Sequence, residues 1–103
     1  MSGANPLRGE ATLAIAGRDR VLRPSFTALV AAEEELGPLY ALVDRAGAGT
    51  LRLAEVAALF WHCLPEREQL SRDEVGEAVI ALGLARCAAP LRMLLGQILG
   101  GNA

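Results

Sequence analysis

Residues Glu10–Phe26 read EATLAIAGRDRVLRPSF, and the alternation of apolar and polar side chains there decides the fold. From Glu10 to Ala16, an extended chain places Ala11, Leu13 and Ile15 on one face and Glu10, Thr12 and Ala14 on the other, the period of a half-buried strand. Gly17, Arg18 and Asp19 are then expected to turn, Gly because it tolerates positive φ and Asp because its carboxylate bonds nearby backbone, and Arg20–Arg23 returns as a second strand. A lone two-stranded hairpin is marginal in water, so Leu13, Ile15 and Leu22 require helical cover.

The rest of the chain supplies it. Pro24 halts the second strand, Ser25 is placed to cap a helix, and Phe26, Leu29, Val30 and Leu36 recur at helical spacing until Gly37 and Pro38 stop it. Pro38 can open a second helix through Leu39, Leu42 and Val43 to Ala46, ended by Gly47-Ala48-Gly49. Thr50 is the expected cap of a third, whose apolar stripe is Leu53, Val56, Ala57, Phe60 and Leu64, with Pro65 ending it. Ser71-Arg72-Asp73-Glu74 is a capping box, after which Val75, Ala78, Val79 and Leu82 form the buried face and Gly83 closes the helix. A last helix starts near Ala88 or Ala89, tolerates Pro90 in its first turn and presents Leu91, Leu94, Leu95 and Ile98. The expectation is an α+β fold of one domain over residues 1–103. An N-terminal two-stranded β-hairpin at about 10–23 packs on a small bundle of four to five short α-helices at about 25–99.

Composition excludes several classes. The 103 residues are 52% apolar with 4% aromatic residues, which marks a folded, Ala- and Leu-rich chain. Its 10 basic residues are all Arg against 12 acidic ones, a net charge of −2, so the basic footprint of a nucleic-acid binder is missing. No run reaches the ~18 apolar residues of a membrane span, and MSGANPLRGE does not read as a secretory signal. Cys63 and Cys87, far apart and without an export signal, read as reduced, buried thiols of a cytoplasmic protein.

Catalytic and metal constellations are not found in the sequence. His62 adjoins Cys63, but neighbouring helical residues point about 100° apart, and one His with two distant Cys does not make a zinc site. His62 is expected on the polar side of its helix, paired in solvent with Glu66. Glu33-Glu34-Glu35 fan over about 200° and cannot converge on one ion. Glu33 stands apart, because it falls on the apolar side, seven residues after Phe26 and three after Val30. A carboxylate there needs the rim or an Arg, with Arg20, Arg23 and Arg45 as candidates, so a structural ion pair is its expected role and partner binding the alternative. Gly47-Ala48-Gly49 reads as a tight link, with no Lys and no preceding strand to make a phosphate cradle. What remains is apolarity off the core faces: Leu59 breaking the polar stripe of the third helix, Trp61 at its flank, Ile80 on the fourth, and Met93 and Leu99 on the last. Leu59, Trp61, Ile80 and Met93 are the candidate partner-binding residues, suited to an amphipathic segment of another protein.

The residues Asn5-Pro6-Leu7-Arg8-Gly9-Glu10, the hairpin with Leu13 and Leu22, Phe26-Thr27-Ala28-Leu29 leading to Glu33 and Leu36-Gly37, and Gly83-Leu84 before a final Ala/Leu helix resemble the small gene transfer agent family of phage-tail proteins. That family occurs in tail gene clusters of alphaproteobacterial gene transfer agents and related prophages, and is described both as tail assembly chaperones and as tail tube proteins. The resemblance implies a non-enzymatic protein without cofactors, acting in the bacterial cytoplasm during particle assembly, with the tail tape measure protein or the tail tube protein as partner. A tube subunit needs large sheets to build a ring, and one hairpin does not supply them, so the chaperone role is preferred to a retained tube or connector component. A small helical nucleic-acid-binding regulator would need an Arg-rich helix that the sequence lacks.

Overall fold

The computed structural model describes Asn5 and residues 9–100. Much of the Asn5–Glu10 motif therefore lies outside the described residues. The element order is β1 (Ala11–Ile15), β2 (Arg18–Leu22), α1 (Phe26–Leu36), α2 (Leu39–Ala48), α3 (Leu53–His62), α4 (Arg72–Leu82) and α5 (Ala88–Gly100), with a 3₁₀ turn at Arg67–Gln69 before α4. This is the expected α+β plan, a hairpin followed by five helices.

β1 and β2 pair antiparallel with Ala11 opposite Leu22 and Ile15 opposite Arg18. β1 buries Ala11, Leu13 and Ile15 and exposes Thr12 and Ala14, as the alternation requires. The turn is tighter than expected and one residue earlier. It consists of Ala16 and Gly17, both at positive φ (53° and 81°), while Arg18 and Asp19 already belong to β2. A two-residue loop with both residues left-handed matches the right-handed twist of the strands, and it lets Arg18 and Asp19 pair with Ile15 and Ala14. Glu10 also departs from expectation. Instead of facing solvent it is 7% exposed, with its carboxylate accepting the Asn5 N–H at 2.9 Å and lying 3.5 Å from Arg23 Nε.

The inner face of the hairpin lies against α4 and α5, and α3 is held between α1 and α4. Leu13, Ile15 and Leu22 thereby join Leu42, Phe60, Leu64, Val75, Val79 and Leu94 in the core. Arg23 N–H donates to the Cys63 carbonyl at 2.7 Å, tying the end of β2 to the end of α3.

The local start signals hold at α1 and α4. Ser25 Oγ accepts the Ala28 N–H at 3.1 Å, and Ser71 and Glu74 exchange both bonds of the capping box at 3.1 and 2.9 Å. At α3 the cap is Arg52, not Thr50. The Glu55 carboxylate accepts the Arg52 N–H at 2.9 Å, while the Thr50 hydroxyl donates back to the Arg45 carbonyl at 3.2 Å. α1 is rotated from its expected phase. Its buried residues are Ala28 and Ala32, and Phe26 is 84% exposed with Val30 also outside. Residues two apart on a helix point about 200° apart, so seating small Ala28 against the core turns both Phe26 and Val30 outward.

Gly9 shows how closely the segment before the hairpin approaches α5. Its φ is 73°, and an added Cβ would lie 2.3 Å from Gln97 Cβ and 3.1 Å from the Met93 carbonyl oxygen. Gly9→Ala is expected to destabilise the protein by about 2–5 kcal/mol, combining left-handed backbone strain with forced displacement of α5. Urea titration at neutral pH measures it. Ala16→Asn, which places an Asn-Gly pair in the turn, is expected to stabilise by about 0.5–1 kcal/mol and raise the melting temperature by roughly 4 °C.

Candidate partner-binding surface

α1, α3 and α4 are joined by a polar cluster whose members are distant in sequence. Arg72, the first residue of α4, donates from Nη1 and Nη2 to the two carboxylate oxygens of Glu35 on α1, at 2.5 and 2.7 Å. His62 Nε2, at the end of α3, lies 2.8 Å from Glu35 Oε1 and donates, since a carboxylate only accepts. The Arg72 guanidinium also sits 4.5 Å from the centre of the Trp61 ring, and the indole N–H donates to the Leu70 carbonyl at 2.9 Å. The Trp61 and His62 rings meet edge to face at 5.1 Å. Hydrogen bonds from Arg72, and then from His62, hold the Glu35 carboxyl down at about 2, below its ordinary 4.5.

The cluster corrects two expectations. His62 is buried and turned toward Glu35, across 27 residues of sequence, not toward Glu66 in solvent. Glu66 lies 4.0 Å from Arg20 instead. The ion pairs of α1 among the described residues run through Glu35. Glu33 is exposed, and its carboxylate accepts the Leu39 N–H at 3.1 Å at the start of α2, where the helix dipole favours an anion. The three arginines considered for Glu33 are engaged elsewhere, Arg20 with Glu66, Arg23 with Glu10 and Arg45 with Glu55 at 2.7 Å.

The four candidate partner-binding residues separate. Leu59 is 0% exposed and belongs to the core, because α3 is packed by α1 on one side and α4 on the other and so has a wide buried arc. Trp61 is half-buried, its N–H and one ring face already used within the chain. Met93 is half-buried on α5, its carbonyl beside Gly9. Ile80 is 59% exposed and lines an open trough of ≈ 420 Å³ between α3 and α4. Leu53, expected in the core but 40% exposed, lines it from α3 with Ala54 and Ala57, while Gly76, Asp73 and Glu77 line it from α4 together with the Glu35 and Arg72 pair. The outward Phe26 is a second exposed apolar residue that the spacing had assigned to the core.

The described residues contain no group of three or more His, Cys, Asp or Glu placed to hold a metal ion. Cys63 and Cys87 are free and buried. Burial pushes the Cys63 thiol up to about 12 and Cys87 upward as well, so neither is a thiolate at neutral pH. No helix among the described residues is long and apolar enough to cross a membrane.

Residues 8–101 match the sequence profile of the family described as "Phage tail tube protein, GTA-gp10". No curated protein and no solved structure matches the chain.

Glu35 supplies a pH test. Its carboxyl is depressed in the folded state, so its stabilisation is complete above about 4.5 and is lost as pH falls from there toward about 2. Glu35→Gln is expected to lower stability at pH 7 by about 1 kcal/mol, a figure already discounted for the exposure of the pair. Thermal melts between pH 7 and pH 2 should show the variant and the parent converging at the acid end.

Proposed function

Because the chain belongs to the GTA-gp10 phage tail tube protein family, we propose that it acts in building a phage-like tail as a non-enzymatic assembly chaperone, in the cytoplasm of the host cell. On this reading it binds the tape measure protein and masks apolar stretches of that long helical chain while tube subunits polymerise around it. The observation that carries the reading is the placement of large apolar side chains on helix surfaces, Phe26 on α1, Tyr40 on α2, Leu53 on α3, Ile80 on α4 and Leu99 on α5. Such side chains on separate helices suit a binding protein that covers apolar segments of a partner.

The sheet supports the same choice. The only sheet among the described residues has two strands of five residues each. A ring-forming tube wall built by sheet continuation needs longer strands with open edges, whereas a helix-rich surface suits transient cover. The second reading, a tube or connector component retained in the particle, is favoured by the family description itself.

Two measurements separate them. Co-expression with a phage-like tape measure protein is expected to raise the soluble fraction of that protein several-fold and to yield a co-purifying complex; equal solubility with and without the chain overturns the chaperone reading. Mass spectrometry of purified particles is expected to find the chain absent or scarce, while many copies per particle would establish the retained component.

A further inference from the structure

The trough between α3 and α4 has features that the fold itself does not require. Gly76 sits in the interior of α4, where glycine costs a helix about 1 kcal/mol relative to alanine, yet a Cβ added there would meet nothing within 4 Å. Close packing inside the chain therefore does not explain it. On the facing helix, Ala54 and Ala57 keep the other wall equally low. Leu53 and Ile80 stand at the sides as exposed aliphatic walls. Small residues on both helices lining the trough let the backbone of an incoming helix approach closely.

The charge around the trough selects the occupant. Asp73 and Glu77, one helical turn apart, line the α4 side. Neither has an ion-pair partner among the described residues. Arg72 and Glu35 line the same trough but pair with each other, Arg72 being committed to both oxygens of Glu35 and to the face of Trp61, so Arg72 does not neutralise Asp73 and Glu77. Asp73 also suits the positive end of α4, but Glu77 lies beyond the first turn, where that effect has faded. Two uncompensated carboxylates beside an apolar floor complement a cationic, amphipathic helix.

We propose that this trough seats an amphipathic helix of a partner protein, with its apolar ridge against Leu53, Ala57, Gly76 and Ile80 and its Lys or Arg side chains on Asp73 and Glu77. The identity of the partner protein as the tape measure rests on the function proposed above; the helix-and-charge chemistry of the trough does not.

The test uses the full chain and peptides of about 20 residues, helices of about 30 Å, tiled over a phage-like tape measure protein and over phage-like tail tube proteins. Affinities are measured for the parent and for Gly76→Leu, whose Cβ meets no atom within 4 Å and whose larger side chain takes up space in the trough that Gly76 lines. They are measured also for the Asp73→Asn/Glu77→Gln pair, with Glu68→Gln as a control on an exposed carboxylate that does not line the trough. Thermal melts verify that each variant is folded. The expected result is that cationic amphipathic tiles of the tape measure protein bind, that Gly76→Leu weakens them at least about tenfold, and that neutralising the pair weakens them several-fold and flattens their salt dependence while Glu68→Gln changes neither. Tape measure tiles that bind the parent and Gly76→Leu alike overturn the trough and leave the chaperone reading standing. Tiles from a different tail protein that lose binding in Gly76→Leu establish the trough and overturn the tape measure as its occupant. Binding that ignores the neutralised pair, or no binding by any tile, overturns the proposal.

Discussion

Leu13, Ile15 and Leu22 cannot be buried by the hairpin that carries them. Two strands have a single apolar face and no second layer, so the side chains on that face stay in water until other elements cover them. In this chain α4 and α5 provide the cover, and α3, wedged between α4 and α1, supports it. The rest of the architecture follows from that demand. β2 is tied to the end of α3 through the Arg23 N–H and the Cys63 carbonyl, and Glu10, buried just before β1, reaches Arg23 from the opposite side. The hairpin is thus stitched to the bundle by polar contacts at its open end and by the core along its length.

The same demand explains which helix faces remain outside. α3 is used from two sides and has little surface to spare, which is why Leu59 is lost to the core. α1 seats Ala28 and Ala32 against the core with Leu29 and Leu36 packed beside them, so Phe26 and Val30 face outward. Surface apolarity therefore concentrates on the peripheral faces of the helices and in the trough between α3 and α4. The Glu35, His62, Arg72 and Trp61 cluster closes one end of that arrangement, joining three helices through one carboxylate.

Legibility varied with the range of the interaction. The capping box at Ser71 and Glu74, the Ser25 cap and the alternation of β1 were readable because each is set by residues within a few positions, and the five helices appear with nearly the expected ends. The 3₁₀ turn at Arg67–Gln69 left no comparable signature. The cap at α3 and the turn at Ala16 and Gly17 differ from the expectation by one or two residues, since several neighbouring residues could serve; Glu55 reaching back to Arg52 selects the first and the β1–β2 register the second. At the candidate surface, Ile80 was recognised from its helical phase, whereas Leu53 and Phe26 were assigned inward and Leu59 outward. A periodic stripe identifies an apolar side of a helix, but it does not say how wide an arc the neighbours will cover.

By itself the sequence determined that this is a hairpin followed by short helices, that Cys63 and Cys87 are small hydrophobes, and that residues 8–101 carry the pattern of a phage-tail family. Those are properties of local spacing and of the order of residue types. Only the tertiary structure decided that His62 turns inward to Glu35, that Glu33 caps α2, and that Leu53 and Ile80 share one trough. These depend on the rotation of each helix about its axis when several are packed together. A rotation of about 100° moves a side chain by one residue position, and the packing of all neighbours at once selects it.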